Sequence, residues 1–137
     1  KRLQDLGVKI YVSEKDADKL YTDKNEGAVF GRRVEPLHAD NTFRDGDVLD
    51  FEGFKLRVME TPGHTAGSVC FFTELGIFSG DTLFYENAGR TDLADGDDAD
   101  MERSLAKLMA VKGDFTVYPG HGRATTLAHE REFNPYI

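Results

Sequence analysis

Apolar and polar positions alternate along much of this chain, and the alternation stops at glycines. Phe54-Lys55-Leu56-Arg57-Val58-Met59-Glu60 alternates, and Val69-Cys70-Phe71-Phe72 is continuously apolar. A period of two predicts a half-buried strand, and a short apolar run between turns predicts a buried one. Ile77–Asp81 and Phe115–Tyr118 give two more strands, and Val8–Val12 a short one. Asp45-Gly46-Asp47, Glu52-Gly53 and Glu74-Leu75-Gly76 read as the turns between neighbouring strands. Helical spacing enters at Met101, Leu105, Leu108 and Met109, which stand at i, i+4, i+7 and i+8. The acidic run Asp95–Asp100 ahead of them suits the positive end of a helix dipole, and Gly113 is the expected stop. Ser13 with Asp16 predicts a capped helix with Ala17, Leu20 and Tyr21 on its apolar face. Thr125 or Thr126 is the expected cap of a last helix reaching about Phe133. From Thr22 to Asp40 the pattern marks only loop. Leu3, Leu6 and Gly7 read as the end of a helix that begins before Lys1, so upstream residues are expected. Antiparallel strands followed by strand–helix units predict an α/β layered architecture, taken as a single domain over residues 1–137.

Composition narrows the partners. The 137 residues are 39% hydrophobic and 31% charged, with a formal net charge of −8. That balance argues against nucleic acid, whose affinity rests on Lys and Arg neutralising phosphates, and against anionic membrane surfaces. No apolar run approaches the ~20 residues of a membrane span. The single cysteine, Cys70, excludes an internal disulfide and fits a reducing, cytoplasmic setting. Its place in a strand pattern marks it as a small core residue.

Three strand ends carry the candidate chemistry. Thr61-Pro62-Gly63-His64-Thr65-Ala66-Gly67-Ser68 sets a histidine in a tight turn, Ile77-Phe78-Ser79-Gly80-Asp81 ends on a carboxylate, and Tyr118-Pro119-Gly120-His121-Gly122 ends on a second histidine. Singly, each is an ordinary turn residue or helix cap. All three lie at the C-terminal ends of predicted strands, where open α/β sheets place their sites. Imidazole and carboxylate are both ligands for zinc or iron. His64, Asp81 and His121 are therefore the candidate metal ligands. Arg90 and Asp92 are placed either to position a substrate or to pair with each other. His38 and His129 read as surface residues, and Tyr85 and Tyr118 as packing residues with their hydroxyls at an edge.

Thr-Pro-Gly-His-Thr-Ala-Gly-Ser at 61–68, Phe-Ser-Gly-Asp-Thr-Leu-Phe at 78–84, Gly-Arg-Thr-Asp-Leu at 89–93 and Tyr-Pro-Gly-His-Gly at 118–122 together resemble the metallo-β-lactamase superfamily. Within it they are most similar to the short glyoxalase II-like (hydroxyacylglutathione hydrolase-like) hydrolases, whose ending Glu130–Tyr136 also resembles. The resemblance implies part of a four-layer αββα sandwich lacking its N-terminal portion. It implies that His64 binds a first metal, that Asp81 bridges two metals at the centre of catalysis, and that His121 binds the second. Arg90 and Asp92, within the Gly-Arg-Thr-Asp-Leu stretch, are kept as the candidate substrate-binding residues. The implied reaction is hydrolysis of a small-molecule thioester by metal-activated water, with two zinc ions in the family and iron as the alternative metal. The family's His-x-His-x-Asp-His motif is absent from these residues and is expected upstream of Lys1. At most one metal, held weakly, and impaired thioester hydrolysis are therefore expected. An iron-dependent persulfide dioxygenase and a non-catalytic fragment are the rival readings. The flanks of the three ligands favour thioesters over β-lactams. An apolar sheet face left open by the missing portion is expected to be covered by homo-oligomerisation.

Overall fold

Residues 3–22, 24, 27, 31 and 35–137 are described by the computed structural model. They fall into two compact units, one up to Phe43 and one from Arg44 to Ile137. In the first, the Leu3–Gly7 segment is a single 3-10 turn at Gln4–Leu6. It is closed by Gly7 in the left-handed region (φ 83°), whose N–H donates to Gln4 O. A side chain at that φ would be strained. The strand expected at Val8–Val12 forms at Tyr11–Ser13 (β1) and pairs in parallel with Asn41–Phe43 (β2). Asp40 fastens this pair. Its carboxylate accepts from Ile10 N (2.9 Å) and Lys9 Nζ (3.0 Å), and these bonds hold it below the usual carboxylate range. The helix expected after Ser13 is only a 3-10 turn at Ala17–Leu20. Ser13 stays in the strand, where its hydroxyl accepts a long bond (3.4 Å) from Lys15 N, so the expected cap does not form. About half of the loop expected from Thr22 to Asp40 lies outside the described residues.

The second unit is built on consecutive strands: Val48–Phe51 (β3), Phe54–Glu60 (β4), Val69–Thr73 (β5) and Gly76–Gly80 (β6). Each pairs antiparallel with the next. At the first turn Glu52 (φ 55°) and Gly53 (φ 97°) both adopt positive φ, as a two-residue hairpin turn requires. Leu83–Phe84 (β7) and Asn87–Ala88 (β8) then make a small separate hairpin. Helix Asp98–Met109 (α1) follows, then Thr116–Pro119 (β9), Thr125–Thr126 (β10) and helix Leu127–Phe133 (α2). The main sheet has the order β10-β9-β6-β5-β4-β3, with β9 parallel to β6. Two antiparallel reversals make β4 and β6 run the same way, and β9 joins them in parallel. The C-terminal ends of β4, β6 and β9 therefore share one edge of the sheet.

The expected face of α1 does the burying. Met101, Leu105 and Leu108 join Cys70, Phe72, Ile77, Leu83, Val117 and Leu127 in one core, while Met109 is only partly buried. Asp97 caps the helix by accepting from Asp100 N (2.7 Å), which explains part of the acidic run. The helix ends at Met109, four residues before Gly113. Arg131 of α2 meets this end, its guanidinium donating to the carbonyls of Met109 (3.1 Å), Val111 (2.5 Å) and Gly113 (3.0 Å). The Met109 carbonyl is one of those a helix end leaves unpaired, and Val111 and Gly113 follow the helix. Thr126 caps α2, accepting from His129 N (3.2 Å).

Cys70 is fully buried, as expected of a core residue, and burial pushes its thiol up to about 11. Alkylation by iodoacetamide at pH 8 should accordingly be negligible in the native protein and complete in denaturant. Rapid labelling of the native chain would show that this core opens. Tyr118 stacks on Phe78 (5.2 Å) with both rings 38% exposed. No helix among the described residues is long and apolar enough to cross a membrane.

Candidate metal centre

The turn carrying His64 is closed by Thr61 N donating to Ser68 O (2.9 Å). It lies directly against the start of α1. Asp97 N donates to Gly63 O (2.9 Å) and Ser104 Oγ to Pro62 O (2.6 Å). A Cβ on Gly63 (φ 137°) would come within 2.6 Å of Met101 Cα, so only glycine allows this approach. His64 Nδ1 lies 2.8 Å from the carbonyl oxygen of Arg90. A carbonyl only accepts, so Nδ1 carries a proton, and in the neutral ring Nε2 is the nitrogen with the lone pair. That is how a backbone carbonyl fixes the tautomer of a metal-ligating histidine.

Asp81 follows Gly80 (φ 52°) at the end of β6, beside a register shift in the β6–β9 pairing. Gly120 N donates to Gly80 O (2.7 Å) and brings the His121 turn alongside. His64 Nε2 lies 3.5 Å from Asp81 Oδ2, and His121 Nε2 lies 3.6 Å from Asp81 Oδ1. Both are longer than an ordinary N–H···O bond of about 2.7–3.2 Å. Two ligands ~2.1 Å from one ion at a tetrahedral angle stand ~3.4 Å apart. Each oxygen of Asp81 thus faces one imidazole at the separation of two ligands sharing a metal. His64 is largely covered (19% of its side chain exposed), whereas His121 is open (78%). The ring of Phe84 meets His121 edge-on at 6.0 Å.

The structure brings all three predicted ligands together, but as two pairs on a shared carboxylate. Among the described residues, no group of three or more His, Cys, Asp or Glu side chains is placed to hold a metal ion. Each histidine with the facing Asp81 oxygen makes one pair of donors. Of the two arrangements open to Arg90 and Asp92, the structure shows them paired with each other. Nε and Nη2 of Arg90 donate to the two Asp92 oxygens at 2.6 and 2.8 Å, which holds Asp92 below the usual carboxylate range. Both side chains are mostly exposed, and the fork steadies the residue whose carbonyl holds His64.

Several contributors were not legible as such. Gly89 and Gly120 matter through the space they leave beside Asp81. Glu130 is fully buried, although carboxylates rarely are. His129, read as a surface residue, is held between Tyr85 (4.8 Å) and Phe133 (4.8 Å), with Nε2 2.9 Å from Glu86 Oε1. Its i,i+4 spacing to Phe133 on a helix was the available signal. Tyr85 packs as expected, stacked on His129 and beneath the Arg123 guanidinium at 3.4 Å. His38 stacks on Tyr21.

A family model described as metallo-beta-lactamase superfamily matches residues 7–121. A hydroxyacylglutathione hydrolase of Haemophilus influenzae is 32% identical over 140 residues, covering 98% of this chain and 66% of that protein. Among solved structures, the BLEG-1 B3 metallo-beta-lactamase matches with a TM-score of 0.89 at 30% identity, covering 98% of this chain and 68% of that one. TTHA1623 in a di-iron-bound form matches with a TM-score of 0.83 at 29% identity, with the same coverage of 98% and 68%. This chain spans about half the length (49% and 50%) of mycobacterial relatives that match it at 45% and 43% identity.

Proposed function

Because this chain belongs to the metallo-beta-lactamase superfamily, we propose that it carries half of the ligand set of a two-metal thioester hydrolase acting on hydroxyacylglutathione-like substrates. The observation that carries this reading is the placement of His64 and His121 at 3.5 and 3.6 Å from opposite oxygens of Asp81. His64 and Asp81 would hold one metal, and Asp81 and His121 the other. A zinc or iron ion bound there would supply a water of lowered pKa and a Lewis acid for the thioester carbonyl. The chain's own residues do the positioning. The Arg90 carbonyl accepts from His64 Nδ1–H and so leaves Nε2 as the nitrogen aimed at Asp81. Asp81 presents a different oxygen to each imidazole. Phe84 limits the approach to His121 from one side. Arg90 meets an anionic substrate group only by exchanging it for Asp92, and both are exposed enough to do so. The H. influenzae hydroxyacylglutathione hydrolase supports a thioester substrate, and the di-iron form of TTHA1623 keeps iron beside zinc as a candidate.

Two ligands per ion give weak sites, since structural sites use four ligands and catalytic sites three. Purified without chelator, this chain is expected to hold at most one metal per molecule by plasma mass spectrometry. That metal should be lost on His64→Ala or Asp81→Ala, and lactoylglutathione hydrolysis should be feeble. Fast hydrolysis by these residues alone would refute the half-set reading. The rival reading, a non-catalytic fold, draws on the lack of any closed metal-binding group among the described residues. It would be favoured by a chain that stays metal-free at millimolar zinc.

A further inference from the structure

Beneath His64 and Asp81 lies a sealed cluster of polar groups that binds nothing in the reading above. Thr61, Thr82 and Cys70 are each 0% exposed. Thr61 Oγ1 and Thr82 Oγ1 are 2.8 Å apart, and Thr61 Oγ1 is 3.6 Å from Cys70 Sγ. The thiol in turn approaches Ser79 O at 3.9 Å. A hydroxyl buried without a partner is unfavourable by about 1–3 kcal/mol. Valine has nearly the same shape and would fill either position without that risk, so the hydroxyls need another reason.

Their location supplies one. Thr61 is the first residue of the turn that bears His64, and its N–H closes that turn on Ser68 O. Thr82 directly follows Asp81. Its N–H donates to Ser79 O (3.0 Å) and its carbonyl accepts from Gly89 N (3.2 Å). The two turns leave β4 and β6, which are not neighbours in the sheet, because β5 lies between them. No ladder hydrogen bond can therefore set the distance between the two turns. The Thr61–Thr82 bond joins them directly, with Thr61 Oγ1 also facing the thiol of Cys70 on the intervening β5.

We propose that Thr61 and Thr82 are positioning residues whose hydroxyl pair sets the separation of His64 Nε2 from Asp81 Oδ2. The inference concerns the spacing of two side chains and holds whether or not the metal reading does. Crystal structures of Thr82→Val, Thr82→Ser and the double variant Thr61→Val/Thr82→Val test it. Thr82→Val is expected to move the Nε2–Oδ2 separation from 3.5 Å by about 0.5–1 Å, the displacement at which a supported site fails. Thr82→Ser, which keeps the hydroxyl, should restore the wild-type distance. Thr82→Val alone leaves Thr61 without its hydroxyl partner and is open to misfolding. The double variant leaves no orphaned hydroxyl, so it should melt near the wild type yet show the same drift. A folded double variant with the separation unchanged would overturn the proposal. So would a Thr82→Ser variant that drifts as far as valine. A metal-free wild type would count only against the proposed function.

Discussion

Gly120→Ala is expected to lower zinc affinity by about 10–100-fold, the range for disturbing groups that orient metal ligands, while leaving the melting temperature almost unchanged. A Cβ at Gly120 would overlap Oδ1 of Asp81, the end of a flexible side chain. It would also press on Gly80 O at 3.1 Å. The carboxylate can swing away and the backbone can yield slightly, so the fold survives. The oxygen that faces His121 does not keep its place. Gly120 has no positive φ, so backbone strain plays no part and the effect is steric. Gly89→Ala is the contrasting control. Its Cβ would land on the backbone carbonyl of Asp81, which cannot rotate aside. That variant should lose stability on the order of 3 kcal/mol, the scale of overpacking at a rigid site. Calorimetric zinc titration beside thermal melts separates the two. Equal zinc affinity for Gly120→Ala and the wild type would show that Asp81 Oδ1 is not a ligand.

Glu130→Ala should be the most destabilising single change outside the apolar core. Glu130 is fully buried. Its two carboxylate oxygens accept from the Thr125 hydroxyl, from Glu86 N (2.9 Å) and from Asn134 Nδ2 (2.8 Å). Asn134 Nδ2 also donates to Asn87 O (3.1 Å), so this hub ties α2 and β10 to the β7–β8 turn. That turn has Glu86 in the left-handed region (φ 50°). Its conformation is held by the Glu130 bond and by the Glu86 carboxylate, which the Tyr85 hydroxyl and then His129 keep below the usual range. Alanine would leave the buried Thr125 hydroxyl without its acceptor, take one of two bonds from Asn134 Nδ2 and one from the Glu86 N–H, and open a cavity. The expected loss is about 3–5 kcal/mol, or a melting temperature lower by about 10–20 °C. Glu130→Gln should be milder, at about 1 kcal/mol. Its amide oxygen can accept from Glu86 and Asn134 while its NH2 donates to the Thr125 oxygen. A glutamine variant as unstable as alanine would mean that the charge, rather than the hydrogen-bond geometry, is what the fold uses.

Much of the second unit was legible because its signals are local. The alternation at Phe54–Glu60, the apolar run at Val69–Phe72 and the Glu52-Gly53 turn are patterns over two to seven residues. So are the Met101–Leu105–Leu108 face and the Thr126 cap. Interactions at those separations decide them. The failures were local as well as distant. Ser13 remained in a strand because β1 pairs with β2, which overrode its capping preference. The end of α1 falls where Arg131, a residue of another helix, bonds its last carbonyl and two beyond it.

The sequence by itself determined the strand and turn pattern, the buried face of α1 and the presence of two imidazoles and a carboxylate at strand ends. Each follows from the chemistry of neighbours along the chain. Only the tertiary structure decided that these ends meet. That depended on two antiparallel reversals and one parallel crossover, which bring the ends of β4, β6 and β9 to one edge. It also decided that Asp81 turns a different oxygen to each histidine, that Glu130 is sealed inside, and that Thr61 meets Thr82 across an intervening strand. Periodicity records which side of its own strand a residue occupies. Strand order and the packing of turns on one another arise from contacts far apart along the chain, and no local pattern carries them.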